Sequence, residues 1–143
     1  MPALKTRLLD TTTDRGRHVQ RRLDREIIIW LATSGAEGRP HVVPVWFRWD
    51  GDSFLIYSLP GQKVRDIEAN PKVALHLNAT PEGGDVVRID ATAARLRRHP
   101  PADKVPEYIR KYAGVIKQYH WTPESFARDY SVVLRIRPTR FRT

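Results

Sequence analysis

Ser58 and Lys63 bracket the segment Ser58-Leu59-Pro60-Gly61-Gln62-Lys63, where turn residues give way to a helical pattern. A hydroxyl, an ammonium and the free N–H groups of a helix start, set close together, suit the holding of an anion. Pro44 is a second marker. It lies inside the apolar run His41-Val42-Val43-Pro44-Val45-Trp46, where it cannot donate to a sheet ladder. It therefore marks an edge or a bulge, against which a ligand can lie. The competing structural reading makes Lys63 a solvated first-turn lysine and Pro44 a device that blunts an edge strand. A short motif alone does not separate the two.

Other constellations carry less chemistry. The histidines at 18, 41, 76, 99 and 120 are scattered with no metal-ligand spacing, so no metal site is expected. There is no cysteine, which removes disulfides, thiol catalysis and thiolate metal sites together. The serines lack a G-x-S-x-G elbow and the glycines form neither a dinucleotide fingerprint nor a Walker loop. Tyr108, Lys111 and Tyr112 read as a packed, partly exposed helix face, with Lys111 placed to pair with Glu107, and His76 reads as structural. No catalytic acid or base is identifiable; were a proton needed, Tyr57 or a water would supply it. That poverty of acid–base chemistry suits an enzyme whose cofactor performs the reaction.

The elements that must position Ser58 and Lys63 follow from periodicity and punctuation. Trp49-Asp50-Gly51-Asp52 separates two apolar runs and suits a tight hairpin. The helix after Lys63 is short, with Val64, Ile67 and Ala69 on its buried side, and Pro71 ends it. The run Val73–Leu77 follows as a strand. Upstream, residues 14–25 suit an amphipathic helix whose start Gly16 weakens, and Ile27–Ala32 reads as a strand buried on both faces. On the next strand His41, Val43, Val45 and Phe47 share one face, and Val42, Pro44, Trp46 and Arg48 the other. Downstream, Val87 to Arg97 alternates as a half-exposed strand, residues 101–117 turn helical, Thr122-Pro123 caps a further short helix, and Ser131–Arg137 forms the last strand. The expected fold is mainly β (α+β), a single domain over 1–143 with a polar, helical N-terminal arm at 1–25. It consists of about six antiparallel strands with short flanking helices in a closed or partly closed barrel.

Composition bounds the rest. The 143 residues, 41% of them hydrophobic, suit one ordinary core. No apolar run is long enough to span a membrane and the N-terminus lacks the apolar centre of a secretion signal, so a cytoplasmic protein is expected. The net charge of +9 comes mostly from arginine, with Arg135, Arg137, Arg140 and Arg142 alternating near the C-terminus. No nucleic-acid-binding motif accompanies that charge, so nucleic acid is a minor reading beside collection of a small polyanion.

The order GRPHVVPVWFRWDGDSFLIYS, then K-x-R-x-x-x-x-NP-x-V-A-L, then YSVVLRIRPTRFR resembles the split β-barrel flavin-binding proteins related to pyridoxamine 5′-phosphate oxidase. More narrowly, it resembles their actinobacterial branch, which binds the deazaflavin coenzyme F420. The resemblance runs from about Arg25 to the end and is most specific over Gly38–Leu77 and Tyr130–Arg142. It implies an FMN-binding split-barrel fold and a homodimer with the cofactor in a groove at the interface. Val43, Pro44, Val45 and Trp46 would lie along the tricyclic ring. Ser58 to Lys63, with Val64, would hold the phosphate, Lys63 being the best match and Gln62 and Arg65 weaker ones. Gln62 stands where flavin-binding relatives often carry an arginine, which favours the deazaflavin over FMN. The implied activity is F420-dependent hydride transfer to a small electron-poor acceptor. An FMN-dependent oxidase or reductase, or a non-catalytic coenzyme-binding protein, stands as the alternative.

Overall fold

The run Pro40–Trp49 is the piece around which the sheet curls. In the computed structural model, which describes residues 8–143, it forms two strands rather than one. These are β2 (His41–Trp46) and β3 (Arg48–Trp49). With β1 (Ile28–Thr33), β4 (Phe54–Ser58), β5 (Lys72–His76), β6 (Arg88–Leu96) and β7 (Val132–Arg142), they give an antiparallel sheet in the order β2-β1-β5-β6-β7-β4-β3. β2 and β3 are consecutive in the chain yet occupy opposite edges of that sheet. The break between them at Phe47 therefore ties the two edges together and makes the sheet a curled half-barrel. The expected six strands become seven because the Phe47 N–H meets the Tyr112 hydroxyl at 2.7 Å instead of a strand neighbour.

Among the described residues four helices flank the sheet: α1 (Asp14–Arg25), α2 (Gln62–Ala69), α3 (Pro106–Gln118) and α4 (Pro123–Asp129), with a 3-10 turn at Ala102–Lys104 before α3. The N-terminal arm is helical from Asp14, and residues 1–7 of it lie outside the described residues. α1 starts ahead of Gly16 and runs through it. A Cβ there would lie 1.6 Å from the Asp10 carbonyl oxygen, so glycine is what lets the preceding turn close onto the helix. Thr122 caps α4 reciprocally with Ser125, as Thr-Pro at a helix start implies.

Burial follows the strand pleat with two corrections. β1 alternates, with Ile29 and Leu31 fully buried and Ile28 and Trp30 half-buried, so it is not covered on both faces. β4 is the strand buried on both faces throughout its length. Its Phe54 and Ile56 enter the barrel core with Phe47, Leu75 and Ile89, while Leu55 and Tyr57 face a second cluster under α3 and α4. Tyr108 and Tyr112 are wholly buried in that second cluster, not partly exposed. Lys111 does not pair with Glu107; its Nζ donates to the Phe47 carbonyl at 2.7 Å and lies 3.7 Å from the centre of the Phe47 ring. β7 runs on through Pro138, which the ladder tolerates because it pairs beside a bulge at Asp90/Ala91. No helix among the described residues is long and apolar enough to cross a membrane.

Candidate functional site

Ser58 ends β4 and Lys63 lies in the first turn of α2, so the loop between them delivers both side chains to one place. Lys63 Nζ donates to Ser58 Oγ at 2.8 Å, and Ser58 Oγ donates onward to the Leu59 carbonyl at 2.6 Å. Burial pushes the Lys63 ammonium below its ordinary pKa, since a half-buried cation loses hydration. Among the described residues it forms no ion pair. It lines a groove of about 440 Å³.

One wall of that groove is β2, through Val43, Pro44, Val45 and Trp46. β2 is an edge strand, paired among the described residues with β1 alone, so its outer backbone edge has no strand partner there. Pro44 sits on that edge opposite Trp30, as its missing N–H implied. The end of β4 lines it too, with Tyr57, Ser58 and Leu59. The rest of the lining is largely aromatic: Tyr119, Trp121, Phe126 and Tyr130, from the α3–α4 turn and α4 to its end. Trp46 stacks on Tyr112 at 4.5 Å between ring centres and on Phe126 at 5.2 Å, which fixes its indole plane against both helices. Trp121 stacks on Tyr119 at 4.9 Å, and His120 between them takes the left-handed conformation, φ 60°, to turn the chain. Among the described residues, no carboxylate and no histidine lines the groove, and Lys63 is its one charged side chain.

Of the residues singled out from the sequence, Val43, Pro44, Val45, Trp46, Ser58 and Lys63 come together here. Three do not. Val64 is only 5% exposed and packs into the barrel core. Gln62 and Arg65 project from another side of α2 and line a separate cleft. Ala69 is exposed, and Asp66 takes the buried place on α2 that it had been given. The aromatic wall was missed. Its signal is the pair Tyr119 and Trp121 flanking the break between two helices, off the apolar stripe that reads Tyr108, Tyr112, Ile116.

Tyr57 is a poor proton donor here. Its hydroxyl donates to the Pro100 carbonyl at 3.0 Å, and burial pushes its pKa up to about 12. His76 is exposed and stacks beside Trp30, 6.1 Å between ring centres. Among the described residues there is no cluster of three or more histidines and carboxylates able to hold a metal.

The groove's makeup fits a flat, largely apolar molecule with one anionic end, since aromatic and aliphatic walls meet a single half-buried cation. The chain resembles solved structures of one architecture. An F420 reductase shares 25% identity at TM-score 0.62, over 86% of this chain and 94% of that one. A conserved hypothetical protein of Mycobacterium tuberculosis shares 18% at TM-score 0.68, over 96% and 88%. The heme storage protein HutZ of Vibrio cholerae shares 17% at TM-score 0.60, over 87% and 89%. No curated protein matches in sequence. Residues 16–143 match the family described as pyridoxamine 5′-phosphate oxidase. The chain belongs to that family.

Proposed function

We propose that the protein is an F420-dependent oxidoreductase, transferring a hydride between the deazaflavin and a small electron-poor organic acceptor. The observation that carries this reading is Lys63, a half-buried cation that, among the described residues, has no ion-pair partner and is the one charged side chain lining an aromatic groove. The similarity to an F420 reductase supports it. When bound, the coenzyme supplies hydride chemistry at its ring C5.

The chain's own residues do the rest. Lys63, Ser58 and the first N–H groups of α2 offer a phosphate a cation, a hydroxyl and backbone donors. Val43, Pro44, Val45 and Trp46 give a tricyclic ring a flat wall and a free backbone edge. Trp121 and Tyr130 keep water from the other face. Gln62 and Arg65 stay outside this phosphate site, and Val64 supports it from the core. No side chain is assigned a catalytic proton, since Tyr57 is committed to Pro100. The reading includes a cytoplasmic homodimer with the groove at its interface, supported by the unpaired edge of β2 and the exposed Val42 and Leu59 beside it.

Heme binding, as in HutZ, has less support, because no histidine lines the groove to ligate iron. FMN dependence shares the barrel and is separated by experiment. A fluorescence titration of the apo-protein with F420 and with FMN tests the reading: tighter binding of F420 supports it. Preference for FMN moves the activity to a flavin enzyme.

A further inference from the structure

His41 and Asp66 form a dyad in a cleft separate from the groove that Lys63 lines. The Asp66 carboxylate is 3% exposed, yet it is charged in the fold. Burial alone would raise its pKa, but hydrogen bonds from Gln62, Thr33 and His41 outweigh that and leave it lowered. Gln62 Nε2 donates to Oδ1 at 2.7 Å, and Thr33 Oγ1 donates to Oδ2 at 2.7 Å. His41 Nδ1 lies 2.8 Å from Oδ2. Because a carboxylate only accepts, Nδ1 carries the proton, and Nε2 is the ring nitrogen left without a partner among the described residues.

The surroundings are fitted to this pair. Gly35 takes φ 70°, and a Cβ on it would lie 2.6 Å from Asp66 Oδ1, so the β1–β2 loop closes directly over the carboxylate only with glycine there. The loop and α2 bound a cleft of about 460 Å³, lined by His41 and by Arg39 and Arg65. Neither arginine has an ion-pair partner among the described residues; Arg65 reaches only the Gln62 amide oxygen, at 3.1 Å. Glu37 also lines the cleft and pairs with neither. The cleft therefore holds two guanidinium groups against Glu37 and the already committed Asp66.

We propose that this cleft is a second binding site, for a small oxyanion held by Arg39 and Arg65 beside the His41 imidazole, with Asp66 as the residue that orients the ring. Two unpaired guanidinium groups match the planar donor needs of a phosphate or carboxylate. The site does not depend on Lys63, so it stands or falls apart from the reading of the groove.

The test is an NMR titration of the full chain with inorganic phosphate at pH 6.5, following the His41 ring resonances, assigned by their loss in His41→Asn. The expected result is a saturable shift at millimolar phosphate that is unchanged in Lys63→Ala. In Arg39→Ala/Arg65→Ala, whose exposed positions leave the fold intact by circular dichroism, it weakens at least about tenfold. A His41 signal that does not move, or that moves equally in the double arginine variant, overturns the proposal. Adding F420 in place of phosphate then identifies the source of the anion. A saturating His41 shift assigns the cleft to the coenzyme's acidic chain, and none assigns it to a free small anion; either outcome upholds an oxyanion site.

Discussion

The hydroxyl of Tyr112 lies 2.7 Å from the Phe47 nitrogen and 2.7 Å from the Ile27 carbonyl oxygen. One phenol on α3 thus replaces the strand partner that Phe47 lacks where the chain crosses from one sheet edge to the other. Burial pushes the Tyr112 pKa well up, so this hydroxyl stays a donor throughout the working pH range. It also holds the ring on which Trp46, a groove wall, is stacked.

Tyr112→Phe therefore strands a buried N–H and costs about 1–3 kcal/mol. The check is urea unfolding, with an expected drop in midpoint and a melting temperature several degrees lower. An unchanged midpoint would mean that the kink at Phe47 is held by Lys111 alone.

Lys111 gives a pH signature. Burial lowers its ammonium to about 8 from the ordinary 10.5, with Arg48 adding to the effect and Asp24 and Glu26 opposing it. Between those values the folded chain binds fewer protons than the unfolded one, so this group's contribution to stability rises with pH there and is flat below it. Lys111→Met removes that rise. Urea midpoints from pH 7 to pH 9.5 should move in favour of the wild type relative to the variant; parallel profiles would contradict the burial of Nζ.

Asp85 gives the opposite signature at acid pH. A hydrogen bond from His18 lowers its pKa to about 2 from 3.8, burial opposing, with Arg15 and Arg22 adding to the effect. Because the folded value is the lower one, the stabilisation is fully present above about pH 4 and is lost as pH falls towards 2. Asp85→Asn should therefore unfold more readily than wild type at pH 6, and the gap should close by pH 2. A gap that persists at pH 2 would assign the effect to packing of α1.

Sequence made the local half of the site legible. Ser58, Lys63 and Pro44 announce themselves through turn chemistry, a helix start and a missing N–H, all of which operate over a few residues. Val64 shows the limit of such reading: one position from Lys63 on a helix is about 100° of rotation, enough to move a side chain from groove to core. The aromatic wall was hidden for another reason. Trp121 and Phe126 reach Trp46 only because α3 and α4 pack on the face that β4 and β7 build together, a long-range arrangement with no periodic signal. The break at Phe47 was equally invisible, since its cause is a hydroxyl on a distant helix.

The central claim is that Lys63 anchors an anionic end of the coenzyme. Its most direct test is the F420 titration repeated on Lys63→Ala, followed by coenzyme fluorescence. A charge-assisted bond of about 1.5–3 kcal/mol predicts affinity weakened roughly ten- to a hundredfold, with the fold unchanged by circular dichroism. Equal affinity in wild type and variant would contradict the account.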